Sequence, residues 1–201
     1  MRLLQLIAAG DETRAAELLA AWPSLANAQL ERGATRQRST DYYFPEIQHY
    51  IYARDTALHV AAASYRPEIA QALVAGGADV RAKNRRGAQP IHYAADGGPG
   101  AANWNPDAQA ATTAYLVKAG ADPNAVDNSG VAPLHRAVRT RCAAAVSALL
   151  DGGADPRRPN RNGSTPLGLT TRNTGRGGTG TAESKAQQRE IVRLLELHGA
   201  T

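Results

Sequence analysis

Two stretches of this chain share one length and one layout. DTALHVAAASYRPEIAQALVAGGADVRAKNRRG (55–87) and VAPLHRAVRTRCAAAVSALLDGGADPRRPNRNG (131–163) each hold 33 residues. Both carry Leu-His at the fourth and fifth places, Gly-Ala-Asp at 23 to 25 and a closing Gly. Between them, AQPIHYAADGG (88–98) and ATTAYLVKAGADPNAVDNSG (111–130) supply the same start and finish. His59 to His92 is 33 positions and His92 to His135 is 43, so this unit carries ten added residues. A further unit opens with STPLGLT at 164 and closes with EIVRLLELHGA at 190–200; Gly199 lies 46 residues after Gly153, thirteen beyond the period. Such a period means stacked supersecondary units, each able to bury its apolar face only against a neighbour. The composition agrees: 43% of residues are hydrophobic, but there is one Phe and one Met, and Ala carries much of the total.

Local signals define the elements of a unit. Thr56 and Thr165 are good helix N-caps, and Pro133 and Pro166 stand at the first helical position, where a missing N–H costs nothing. Ile69, Ala70, Leu73 and Val74 recur at helical spacing and predict one buried stripe. Gly77, Gly120, Gly153 and Gly199 follow the second helices, where a left-handed C-cap favours glycine. Residues 1–33 read as a degenerate first unit, with helices in LLQLIAAG and DETRAAELLAAW and a hairpin strand in PSLANAQLERG.

These residues resemble the ankyrin repeat, whose hallmark is T-P-L-H followed by A-A, then I-V-x-x-L-L, then G-A-D. The chain has TALH, QPIH, APLH and TPLG, with GAD at 77–79, 120–122 and 153–155. The resemblance covers roughly 55–200. It implies an all-α solenoid of stacked helix-turn-helix units with projecting β-hairpin fingers. As one domain over 1–201, it divides into an N-terminal capping unit (1–33), a long aromatic finger insertion (34–54), repeats at 55–87, 88–130 and 131–163, and a C-terminal repeat or cap at 164–201.

The insertion is where the aromatics gather. Of ten aromatic residues, five sit in DYYFPEIQHYIYAR (41–54): Tyr42, Tyr43, Phe44, Tyr50 and Tyr52. Alternation puts His49, Ile51 and Ala53 on one face and Tyr50, Tyr52 and Arg54 on the other, and Pro45 argues for a turn. Two readings coexist. The rings pack back onto an Ala-rich scaffold, or some stay exposed as anchors, since Tyr and Trp dominate binding hot spots.

Charge adds a second candidate surface. The formal net charge is +5. Arg32, Arg36 and Arg38, then Arg81, Lys83, Arg85 and Arg86, then Arg157, Arg158 and Arg161 fall at expected hairpin tips, with Asp122 and Asp127 interrupting the row. No aromatic interleaving or groove-entering helix accompanies it, which disfavours nucleic acid. His59, His92 and His135 recur at one repeat position. The resemblance makes them structural, one repeat spacing apart, and a metal site is not expected. GRGGTG (175–180) spells a dinucleotide fingerprint, but no strand precedes it, so it reads as an insert. PGAANWNPD (99–107) is another, with Trp104 either packed or in contact with a partner. The lone Cys142 excludes an internal disulfide and fits a reducing compartment. No run reaches the roughly 18 apolar residues of a membrane span. The opening MRLLQLIAAGDE imitates a signal peptide, but its amphipathic pattern continues into TRAAELLAAW, so secretion is not expected.

No nucleophile–base–acid set or paired carboxylates stand at recognisable spacing, so no catalytic residue and no cofactor are expected. The resemblance implies a non-catalytic scaffold that binds a protein or peptide on a concave surface; with the charge and the lone cysteine, a cytoplasmic monomer and an acidic partner are expected. Candidate contacts are Tyr42, Tyr43, Phe44, His49, Tyr50, Tyr52, Arg81, Arg85, Arg86, Trp104 and Arg157. The alternative is a small-molecule-binding protein or atypical enzyme with a pocket between the finger and the first helices, using Tyr52 and His49. A purely structural spacer is the third reading.

Overall fold

The computed structural model describes residues 1–171 and 180–201. The GRGGTG stretch lies outside the described residues except for Gly180. Five pairs of helices follow one another among the described residues: α1 Arg2–Ala9 with α2 Glu12–Ala21, α3 Ala57–Ala63 with α4 Pro67–Ala75, α5 Pro90–Ala94 with α6 Pro106–Lys118, α7 Pro133–Thr140 with α8 Ala143–Asp151, and α9 Pro166–Thr170 with α10 Ala182–Leu197. First helices pack on first helices through all five units, and second helices on second from α4 to α10, giving two rows, with α2 packed on α1. Between the rows lies a core of equivalent positions, with Leu58, Ile91 and Leu134 in the first row and Leu73, Leu116, Leu149 and Leu195 in the second, all essentially inaccessible.

The caps explain where the helices stop and start. Thr165 accepts the Gly168 N–H, Asn105 that of Ala108 and Thr181 that of Ser184. Pro133 and Pro166 open α7 and α9 as read from the sequence. Gly77, Gly120, Gly153 and Gly199 have φ of 87°, 100°, 90° and 86°, a left-handed geometry that a side chain would strain. Thr56 sits at the expected cap, but its hydroxyl lies 3.0 Å from His59 Nδ1 instead of on a backbone N–H.

Each repeat histidine closes its own helix start, and His59 and His92 also reach the next unit. His59 Nδ1 accepts the Thr56 N–H and its Nε2 donates to the Ala88 carbonyl. His92 does the same with Gln89 N and the Val131 carbonyl, and His135 Nδ1 accepts from Ala132 N. A second ladder runs along the hairpins and left no sequence signal that we could read. Asn124 donates to the Gly153 carbonyl and accepts the Asp155 N–H, both at 2.8 Å, and Asn27 does likewise with Gly77 and Asp79. Arg81 fills the equivalent place between them, with Nε 2.8 Å from the Gly120 carbonyl. Asn124→Ala removes two inter-unit bonds and should cost about 1–2 kcal/mol in urea denaturation. An unchanged midpoint would mean that water replaces the clamp without loss.

Two expectations about strands need correction. PSLANAQLERG holds a 3₁₀ turn at Pro23–Ala26 and no strand. The hairpin tips contribute none either: the one strand pair among the described residues is β1 Tyr43–Phe44 against β2 His49–Tyr50, antiparallel within the insertion. The reason is competition for backbone groups. Leu30 N bonds Asp55 O, Arg54 N bonds Leu30 O and Ala34 N bonds Ile51 O, so the first unit's tip is knitted to the returning finger. Gly33 permits this approach, because a Cβ there would collide with the backbone of Tyr52 and Ala53.

Candidate functional site

The finger divides its apolar residues between two sides. Phe44, Ile47 and Ile51 are buried in the core, and Ile51 is wholly inaccessible. Tyr43 and Tyr50 face solvent at 38% and 41% exposure, paired across the strands with ring centroids 4.9 Å apart. Pro45–Gln48 makes the turn, with Gln48 at φ 49°. Packing and exposure therefore coexist: the same short ladder that buries Phe44 presents its neighbour. Tyr42 is half-buried against the first unit, and Phe44 lies beneath the finger instead of on its surface.

The finger's base rests on a buried carboxylate. Asp55 accepts hydrogen bonds from Tyr52 N at 2.6 Å, Asn84 Nδ2 at 2.8 Å and Tyr93 Oη at 2.7 Å. Burial, and then the adjacent Asp55 charge, push the Tyr93 phenol well above its ordinary range, so it stays a donor. The His49 ring lies on Tyr93 with centroids 4.3 Å apart, and its Nε2 is 3.7 Å from Asp96 Oδ2. Asp96 is also 3.5 Å from Arg136, whose other nitrogen holds Asp127 at 3.0 Å. Burial opposes the charge on Asp96, but His49 and Arg136 outweigh it and hold the carboxyl well below the usual range.

Beyond this network lie two hollows that share Tyr50, Tyr52 and Arg86. One, of about 480 Å³, runs past Arg36 and Arg85 at the hairpin tips. The other, of about 610 Å³, lies between finger residues 47–52 and the 97–103 loop, with Tyr93, Arg136 and Arg139 also in its lining. The Arg86 guanidinium forms part of the ridge between them, 4.9 Å from the Tyr52 ring centroid and 2.8 Å from its hydroxyl.

The remaining candidates scatter. Arg85 donates to the Ala34 carbonyl and so ties its tip to the finger base. Arg81 is engaged with Gly120, and Arg157 is exposed two units further along than Arg81. Trp104 leans on the core beside the Cys142 thiol, whose pKa burial raises. Asp55, Tyr93, Asp96, Arg136 and Arg139 were not singled out by sequence reading. Asp55 occupies the first place of its repeat, where the other units have Ala88, Val131 and Ser164, and nothing marks it.

No helix of the described residues is long and apolar enough to cross a membrane. A search of curated proteins finds no match. Comparison with protein families matches residues 54–85 to "Ankyrin repeat" and 116–169 to "Ankyrin repeats (many copies)". With the two helix rows, the bridging histidines and the glycine caps, these matches show that the chain contains ankyrin repeats and support its reading as an ankyrin-repeat protein.

Proposed function

We propose that the chain is a non-catalytic scaffold that seats a protein or peptide segment along its finger and hairpin tips. Ankyrin repeats generally mediate protein–protein interaction, and the finer reading rests on one observation. Tyr43 and Tyr50 are exposed together on a finger whose Phe44, Ile47 and Ile51 are locked in the core. An aromatic pair held this way loses little entropy on binding, which suits a hot spot. Arg36, Arg85 and Arg86 beside Tyr50 and Tyr52 favour a segment bearing carboxylates, because guanidinium groups bind these in a fixed fork geometry. In this reading the protein works as a cytoplasmic monomer, with Tyr42 and Arg157 at the margins of the contact.

The test is selection from a displayed peptide library, followed by titration of the enriched peptides. Acidic sequences should be enriched. Tyr43→Ala combined with Tyr50→Ala should weaken them about 30-fold, the scale of one hot spot of about 2 kcal/mol. Full affinity in a variant that melts like the parent would remove the finger from the contact.

A further inference from the structure

The two departures from the 33-residue period that the described residues include meet in space. Finger residues 47–52 and the 97–103 loop of the 88–130 unit form facing walls of the 610 Å³ cleft. A regular array would have neither wall. We propose that this cleft binds a small organic oxyanion, a compound carrying a carboxylate or phosphate group, distinct from the partner seated on the outer face of the finger.

Its size falls within the range of about 300–1,000 Å³ usual for small-molecule sites. Arg86, Arg136 and Arg139 stand in the lining against one carboxylate, Asp96. That carboxylate is already engaged by His49 and Arg136, and Asp127, the second acid on Arg136, lies outside the lining. The balance of charge therefore favours an anion. The guanidinium groups of the lining present N–H donors in a fixed fork geometry, and an oxyanion supplies acceptors.

The loop's sequence fits this role. A Cβ on Gly97 would collide with the Tyr65 hydroxyl, and one on Gly98 with the Thr140 carbonyl. Tyr65 Oη also donates to the Asp96 carbonyl, which fixes the residue that leads into the loop. Glycine thus lets the main chain sit directly against α7 and form the wall. Tyr50 and Tyr52 on the opposite side provide faces for the organic part of the ligand.

The experiment is isothermal titration calorimetry with citrate and, separately, inorganic phosphate, at ionic strength held constant with chloride. The proteins are wild type, Arg139→Gln, Arg86→Gln and, as a control outside the lining, Arg189→Gln, each checked by thermal melting. Saturable binding of at least one probe is expected, with citrate alone marking a carboxylate site and phosphate alone a phosphate site. Affinity should fall at least tenfold in whichever of Arg139→Gln and Arg86→Gln melts like wild type, and stay unchanged in Arg189→Gln. Absence of saturable heat with both probes overturns the proposal, as does an equal loss in Arg189→Gln, which would indicate general charge attraction. Tyr43 lies outside the cleft lining. A Tyr43→Ala protein that loses peptides but keeps the oxyanion, or the reverse, separates failure of this inference from failure of the partner reading.

Discussion

Asp55→Ala should lower the free energy of unfolding by about 3–5 kcal/mol, since each buried donor left without an acceptor costs about 1–3 kcal/mol. Three donors converge on this carboxylate from three places in the chain: Tyr52 N at the finger base, Asn84 in the following hairpin and Tyr93 in α5. No water reaches them, because Asp55 is fully inaccessible and Asn84 and Tyr93 nearly so. For a chain of this size the loss corresponds to a melting temperature lower by about 10 °C. Tyr93→Phe removes one donor along with its need for an acceptor and should cost only about 1–2 kcal/mol. The finger should loosen before the rest, so amide exchange at Tyr52 and Ile51 should accelerate more than in α8. Urea denaturation of both variants decides the matter. A loss below about 1 kcal/mol for Asp55→Ala would show that the network is not what holds the finger.

Acid should destabilise the fold well above the range where carboxylates titrate. His59, His92 and His135 all have depressed pKa values, with burial the largest cause in each, and His92 is lowered to about 3. The structural reason is visible in the ladder: each Nδ1 is an acceptor for a backbone N–H at a helix start, a role a protonated ring cannot fill. Unfolded, the same rings titrate near 6.5. Below that pH the unfolded chain takes up protons that the native chain refuses, so stability is complete above about 6.5 and falls as pH drops toward the native pKa. A ring that stays neutral removes about 2 kcal/mol between pH 7 and pH 5, as His92 does with its pKa lowered to about 3. Asp96 and Asp127 are shifted down as well: burial opposes their charge, but Arg136 and, at each site, hydrogen bonds prevail. Their contribution is lost only below about pH 4, so it does not confuse the result. Denaturation at pH 7.5, 6 and 5 should show the decline, and His92→Gln should flatten it by about the share of one proton. Equal stability at pH 7.5 and pH 5 would mean that the native fold accepts these protons.

The repeat frame was legible because everything that sets it is local. A cap residue acts within three positions, a proline at the next, a glycine at its own φ, and a helical stripe within two turns. Once four units spell the same order, their stacking follows from the need to bury equivalent leucines. The alternation of Tyr50 and Tyr52 against Ile51 and the turn at Pro45 were local too, and the structure keeps both.

The sequence by itself therefore determined the helix pairs, their caps, the inter-unit histidines and the place where an aromatic finger leaves the array. Only tertiary structure decided which rings stay outside. That depended on Leu30 and Ala34 capturing the returning strand and on the 97–103 loop facing it. The Asp55 hub joins residues up to 38 positions apart and the oxyanion cleft residues up to 93 apart, across units of differing length. No periodicity connects such positions, so only the packed chain shows that they meet.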